Sequence, residues 1–324
     1  VRPLLRRLAA QPDVAVTLLT RDADNVDAYH QLVGTTVQVA PLRAAWTNRH
    51  FECVWYPWNG IRFPARAPSV VTINDDFAFA FPATDIVGRW REQRPIRRAI
   101  RTATRIATIS GWSREALITR FAVPAARIDL LPLAPDPFFT PGHEASPYGQ
   151  PFILTVGAGE TRKNVGFLID AFNDAYPSGG VTLIIVGALP HPVAQRVHRL
   201  GRRAIVLDRP SDEELRRLYR TAAAVAVPSR AEGFGLVAAE AQACGAVVIA
   251  SNTTALPEAV GSAGILLDPH DRGAWRDAIR RIVDDPSGMA TLRLTAAARW
   301  VGISPDGTLE ALRAAFERAI DNRP

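Results

Sequence analysis

Short apolar runs alternate with helix-patterned segments along the whole chain, and a parallel sheet covered by helices is the arrangement that satisfies such an alternation. In the first half the strand-like runs are 14–20, 35–40, 53–58, 69–74, 105–110 and 128–133. Residues 134–151 are rich in Pro and Gly and have no helical period, so they read as a linker. The alternation then restarts at 152–157 and continues through 181–187, 224–228, 246–251 and 264–269. Ser211 and Glu214 stand at capping-box spacing and mark a helix start. With 324 residues to place, the pattern predicts an α/β chain of two domains: 1–138, a linker 139–151, and a doubly wound domain of about six strands over 152–304.

Several function classes drop out. No segment approaches 18 consecutive apolar residues, so nothing in the sequence reads as a membrane span. The two cysteines, Cys53 and Cys244, lack metal-ligand spacing and suit a reducing cytosol. Six scattered histidines form no metal-binding pattern. The net charge is +6, of which +5 falls in residues 1–150. That balance permits nucleic acid, an anionic membrane or a small anionic ligand as partner.

Among 38 basic side chains a single one is lysine, Lys163. It follows Arg162 in "VGAGETRKNVGFLIDAF", a strand, a Gly-bearing loop and a helix in that order. This arrangement binds phosphates: helix N-termini offer unpaired N–H groups, and Gly157 and Gly159 let the backbone come close to an anion. Cations at a helix start oppose its dipole by roughly 0.3–1 kcal/mol each, and a bound diphosphate supplies a reason for them. The loop lacks the Walker pattern and the acidic ribose partner of a dinucleotide fingerprint. A surface Arg–Lys pair is the plainer alternative.

A second feature is "SRAEGFGLVAAEAQACG". Glu232 lies in a Gly-flanked loop, and Glu240 lies eight residues on, in the following helix. A carboxylate on a helix can accept both hydroxyls of a ribose; one in the loop can accept a sugar hydroxyl or face a developing cation. Glu240 sits among apolar neighbours, where an isolated charge is expensive, so it calls for a ligand or a specific cation.

Together "EGFGLVAAEAQACG", "GETRKN" and "SNTTALPEAVGSAGILLDP", with "ATISGWSREAL" upstream, resemble the retaining GT-B glycosyltransferases of the sucrose-synthase and mannosyltransferase type, the group 1, family 4 enzymes. The likeness runs over nearly the whole chain, strongly over 105–300 and weakly over 1–70. It implies two Rossmann-like domains facing across a cleft, with a terminal helix over 305–324 crossing back to the N-terminal domain. It implies a nucleotide-diphosphate sugar as donor. Arg162 and Lys163 then hold the diphosphate, Glu240 the ribose, and Glu232 with the amides of Gly233, Phe234 and Gly235 the sugar ring; Leu236 completes the donor-binding loop. Arg162, Lys163 and Glu232 are the expected catalytic residues. No metal or other cofactor is expected, because the two cations and the helix N-termini stabilise the leaving group. No D-x-D motif stands between a strand and a loop. The acceptor implied is a saccharide, a lipid-linked sugar or a natural product; the cysteine usage gives a cytoplasmic location, and the arginines of 89–105 a peripheral one at the inner face of the membrane as the further possibility.

Two departures stand out. These enzymes usually carry a His-Asp pair where this chain has Asn74 and Asp75, so an acid/base role for histidine there is excluded; Asn74 reads as a sugar contact or a turn former, and Asp75 or Asp76 as an acceptor contact or a cap of the next segment. They also usually open with a strand and a Gly-rich loop; this sequence starts after that point, so the expectation is either that residues before position 1 are missing from it or that the loop is lost. A non-catalytic sugar-nucleotide-binding protein and a nucleotide-sugar epimerase on the same fold are the alternatives. Finally, seven arginines crowd residues 89–105 with one acid, Glu92. The run reads either as a helix docking on anionic lipid or as a solvated face, and Pro95 argues against one long amphipathic helix.

Overall fold

The computed structural model describes residues 2–22, 24–48 and 50–322, with the side chains of Arg2 and Pro3 left aside. The chain divides into two compact units, one of residues 1–133 with 305–324 and the other of residues 134–304.

In the first unit, β1 (Thr17–Thr20) pairs parallel with β2 (Gln38–Pro41). A four-stranded parallel sheet follows in the order β3 (Val54–Tyr56), β4 (Ser69–Thr72), β5 (Arg105–Thr108), β6 (Ile128–Leu130). The period of two along a strand sends alternate side chains to opposite faces. Val71, Ile73 and Ile106 bury against Ile96, Ala99 and Leu117 of two helices, Ile86–Thr102 and Gly111–Phe121. Their sequence neighbours Val70 and Ala107 bury against Leu312, Ala315 and Ala319 of the helix Pro305–Asp321. Both faces of this sheet are covered, which is why its strands read as unbroken apolar runs.

Two expectations change here. Pro95 does not break the helix: Ile86–Thr102 is continuous, with Pro95 buried inside it. Pro95 packs in the core, and its carbonyl accepts from the Ile61 N–H at 3.0 Å. Arg105 leaves the basic run altogether. It lies in β5 and grips Asp129 of β6 in a bidentate pair at 2.7 and 2.8 Å, with Asp129 also held by Arg318.

The second unit holds one six-stranded parallel sheet in the order β12-β11-β10-β7-β8-β9. The strands are β7 (Phe152–Val156), β8 (Thr182–Val186), β9 (Ala204–Leu207), β10 (Ala224–Val227), β11 (Val248–Ser251) and β12 (Ile265–Leu267). Strand β9 has no counterpart among the runs picked out in the sequence. One face of the sheet packs under the helices Val165–Ala175 and Arg272–Asp284, with Leu168, Phe172, Trp275 and Ile279 fully buried. The stretch 139–151, expected as a linker, lies within this unit along the helix Asp212–Thr221. The Phe139 ring meets Tyr219 edge-on at 5.6 Å, Arg216 lies over Phe138, and Arg220 donates to the Thr140 carbonyl at 2.7 Å.

Candidate functional site

The strand order of the six-stranded sheet fixes where a ligand can sit. From β7 the chain moves outward to β8 and β9, then returns to β10 on the other side of β7 and moves outward again to β11 and β12. Strands β7 and β10 are therefore neighbours at the switch point, and open α/β sheets bind ligands outside the carboxyl ends of the strands at such a point. These two loops carry Arg162–Lys163 and Ser229–Glu232.

The loops are stitched together. The Arg230 N–H donates to the Arg162 carbonyl at 2.8 Å, and Arg162 Nη1 donates to the Ala231 carbonyl at 2.8 Å. The centre of the cluster is the buried Glu232 carboxylate. Its Oε1 accepts from Lys163 Nζ and from Ser229 Oγ, each at 2.7 Å. Its Oε2 accepts from Arg162 Nη1 at 3.0 Å. Arg162 also forks onto Glu160 through Nε and Nη2 at 2.7 and 3.1 Å. Burial pushes the Glu232 carboxyl up, but Lys163, Ser229 and Arg162 outweigh it and hold it below the usual carboxylate range. Burial likewise works against the Arg162 charge, and Glu160 and Glu232 overcome it.

This geometry corrects the argument from the helix dipole. Arg162 and Lys163 lie on a 3-10 turn, Thr161–Lys163, and Asn164 in the left-handed region (φ 56°) separates them from the helix Val165–Ala175. Their placement is stabilised by Glu232 and Glu160, so a diphosphate is not the sole reason for two cations at this spot. The two are also unequal. Arg162 is held by Glu160, Ala231 and Glu232, whereas the Lys163 ammonium, which carries three donors, bonds among the described residues to Glu232. Gly157, at φ 91°, directs its N–H and that of Ala158 onto the Val186 carbonyl at 2.9 and 3.2 Å. A Cβ there would lie 3.4 Å from the Lys163 stem. Gly159 lies next to the Ala188 carbonyl, which a Cβ would meet at 3.6 Å.

Gly235 (φ 110°) opens the helix Leu236–Ala243, and a Cβ on it would strike Leu256 at 2.9 Å, so close packing with the 252–256 loop demands glycine. Phe234 is buried and Leu236 exposed at this turn, with Gly233 just before it. Glu240 is half-buried on this helix. Its partner is a phenol and not a cation: Tyr219 Oη donates to Glu240 Oε2 at 3.2 Å. Burial raises the Glu240 carboxyl to about 7; the Tyr219 bond opposes the rise, and Asp136 and Asp212 add to it.

Three contributors escaped the sequence reading. Ser229 is 1% exposed and spends its hydroxyl on Glu232; its position three residues upstream in the same loop was a usable signal. Thr254 accepts from the Glu232 N–H at 2.9 Å and sits at φ 52°, a strained conformation for a β-branched residue. Tyr219 was hidden in the apolar stripe of its helix. A cavity of about 390 Å³ opens at the end of β9, lined by Tyr148, Val206–Pro210, Glu214 and Arg217 among others. It includes none of the residues of the cluster above.

Asn74 and Asp75 lie in the first unit, just after β4. The Asn74 N–H donates to Asn59 Oδ1 at 2.7 Å and its carbonyl accepts from Ser113 Oγ at 2.7 Å. Asp75 Oδ1 accepts from the Phe77 N–H at 3.1 Å, which starts a short helical turn. Next to them Asp76 is buried and pairs with Arg120 at 2.9 Å; burial raises its carboxyl. Among the described residues no three His, Cys, Asp or Glu side chains group to hold a metal ion. No helix among them is long and apolar enough to cross a membrane.

Known proteins resemble this chain. Residues 150–285, which contain the whole cluster, match the family model of the glycosyl transferases group 1. O-antigen chain mannosyltransferase B of Escherichia coli is 31% identical over 270 residues, which cover 76% of this chain and 70% of that protein. D-inositol 3-phosphate glycosyltransferase of Mycolicibacterium smegmatis is 33% identical over 240 residues, covering 68% of this chain and 54%, about half, of the relative. In three dimensions Anabaena HepE, solved in complex with UDP and glucose, superposes with a TM-score of 0.75 at 19% identity, over 97% of this chain and 94% of that one. From the two α/β units, the switch-point cluster and these likenesses, the chain belongs to the glycosyl transferases group 1 and has their GT-B fold.

Proposed function

We propose that the chain moves a hexosyl group from a nucleotide-diphosphate sugar to a saccharide, lipid-linked or natural-product acceptor, with retention at the anomeric carbon and without a metal ion. The observation that carries this reading is the Lys163–Glu232–Arg162 cluster at the switch point between β7 and β10. The E. coli relative, named for mannosyl transfer to O-antigen chains, supports a sugar chain as acceptor. The UDP and glucose bound by HepE support a nucleotide sugar as donor.

In this reading the glycosidic C–O bond breaks with oxocarbenium character, and its electron pair leaves with the diphosphate. Lys163 and Arg162 stabilise the charge that grows there, more in the transition state than in the ground state. Glu232 keeps both cations aimed and, with Gly233, Phe234 and Gly235, borders the sugar ring. Glu240 accepts from the ribose hydroxyls, and Gly157, Gly159 and Leu236 border the nucleotide. The acceptor oxygen forms the new C–O bond on the face the diphosphate leaves, and its proton passes to the departing phosphate oxygen. Asn74 and Asp75 contact the acceptor or the sugar. We place the reaction in the cytoplasm, in keeping with a chain that uses only two cysteines.

The test is thermal unfolding with UDP, GDP, ADP and TDP, with and without EDTA. A ligand at 100 times its dissociation constant adds about 2.7 kcal/mol of stability. One of the four is expected to raise Tm regardless of EDTA, with the shift much reduced in Lys163→Ala; no shift from any of them overturns the reading. The anomeric configuration of the product, read by NMR, decides retention.

A further inference from the structure

We propose that Trp58, in the first unit, is the stacking platform for the acceptor, and that the acceptor group it receives is a pyranose ring. This rests on the transfer reading above and narrows its acceptor. Trp58 follows β3 and, at 66%, is the most exposed tryptophan among the described residues. Single exposed apolar side chains are common. Trp46 and Trp90, 49% and 57% exposed, show the ordinary case: each has an arginine over its ring, Arg66 at 4.9 Å and Arg94 at 4.7 Å. Trp58 has no such cover. Among the described residues its ring meets no cation, no other aromatic ring and no hydrogen-bond partner.

The loop that carries this bare ring is fixed. Asn59, the next residue, stands at φ 25°, uncommon for a residue with a side chain. Gly60, at φ 114°, packs so closely that a Cβ on it would strike the Pro95 backbone. The Asn59 amide is spent on the loop after β4: its Oδ1 accepts from the Asn74 N–H at 2.7 Å, and its Nδ2 donates to Asp75 Oδ1 at 3.4 Å. Strain of this kind persists only where the surroundings impose it, and it clusters at ligand sites. These bonds also bring Trp58 within one residue of an unspent polar group. Both main-chain groups of Asn74 are bonded, to Asn59 and to Ser113. Its half-buried side-chain amide makes no hydrogen bond among the described residues. An amide offers one acceptor oxygen and two donors, which match two adjacent hydroxyls. A pyranose has C–H bonds on its face and hydroxyls around its rim. The C–H face can lie on the electron-rich indole while the rim meets Asn74. A flat aromatic aglycone would also stack on the indole, but it would cover the Asn74 amide without pairing it, which is costly.

The experiment is saturation-transfer NMR of the whole chain with methyl α-mannopyranoside, methyl α-glucopyranoside and methyl α-galactopyranoside, and with 2-naphthol as the flat aromatic control. At least one pyranoside is expected to bind, with saturation strongest on the C–H protons of one ring face. Trp58→Ala and Trp58→Leu are each expected to weaken that binding about tenfold, and Trp58→Phe to retain most of it. Trp58 is exposed, so the variants should melt with the wild type; if Trp58→Ala melts lower, the comparison of Trp58→Leu with Trp58→Phe decides. No pyranoside binding, equal binding by wild type and Trp58→Ala, binding by Trp58→Leu as tight as by Trp58→Phe, or 2-naphthol bound through Trp58 more tightly than every pyranoside would each overturn the proposal. Loss of the nucleoside diphosphate shift described above would strike the transfer reading and leave sugar binding at Trp58 standing. Pyranosides indifferent to Trp58 would strike this inference and leave that shift intact, so the two fail separately.

Discussion

Replacing Glu232 by Gln keeps the side-chain shape and removes the negative charge at the centre of the cluster. The glutamine oxygen can still accept from Lys163 and Ser229, which now meet Oε1 at 2.7 Å. Its amide nitrogen must then face Arg162 Nη1, now 3.0 Å from Oε2, so donor meets donor. Removing one partner of a buried ion pair costs about 3–5 kcal/mol. The Arg162 and Lys163 side chains are 20% and 14% exposed, so water recovers part of that, and we expect about 3 kcal/mol. At about 2–4 °C per kcal/mol, Tm falls by about 6–12 °C. The site also becomes more positive by one charge, so binding of UDP or GDP should hold or tighten while turnover falls by about 100-fold as the cations lose their aim. Stability and ligand affinity thus move in opposite directions. The pH dependence follows from the lowered Glu232 carboxyl: its contribution is present above the unfolded carboxylate range and is lost as pH falls through the folded value. The Tm gap between wild type and variant should be full at neutral pH and close below about pH 4. Calorimetry across pH with and without nucleoside diphosphate makes the test. A variant that melts with the wild type at neutral pH, or that loses nucleotide affinity in step with turnover, refutes the reasoning.

Glu240, raised to about 7 by burial, gives the reverse trend: the fold alone loses stability as pH rises from the usual carboxylate range through about 7, while ribose binding should strengthen over the same interval. Titration calorimetry from pH 6 to 8 should show this strengthening, and Glu240→Gln should flatten it. Thr254→Gly should relieve the left-handed strain and leave Tm near the wild type, yet lower kcat with little change in KM, because the hydroxyl that holds the Glu232 N–H is gone; Thr254→Ser should restore kcat, and a large loss of Tm in the glycine variant would refute a positioning role. Asp129→Ala should destabilise the first unit by about 3–5 kcal/mol by stranding Arg105, which is 10% exposed; denaturant unfolding reads this, and a cost under about 1 kcal/mol would assign the pair to the surface class.

The parallel sheets were legible because their strands are covered on both faces and therefore read as apolar runs, as Val70–Val71 and Ile153–Leu154 illustrate. Strand β9 was not, because it is an edge strand: Val206 is 41% exposed, and "AIVL" follows Gly201 and two arginines that look like a loop. Lys163 and Glu232 stood out as odd residues in Gly-rich loops, but their bond to each other spans 69 positions and no local pattern encodes it. Thr254 left no trace, since its strain and its hydrogen bond exist only once two distant loops meet. Pro95 misled because local propensity counts against proline inside a helix, whereas here the residue is buried in the core and its carbonyl is bonded to the Ile61 N–H, contacts that no local pattern shows.

The helix Pro305–Asp321 covers Val70, Ala107 and Leu131 and donates Arg318 to Asp129, although 171 residues of the second unit are inserted before it. During synthesis the first 133 residues therefore emerge without the element that closes one face of their sheet. At the usual pace of translation that face waits on the order of ten seconds, an interval in which it is open to chaperones and to aggregation. The second unit is contiguous, so a chain ended just short of residue 305 and released from the ribosome should carry one finished unit and one still lacking its last wall.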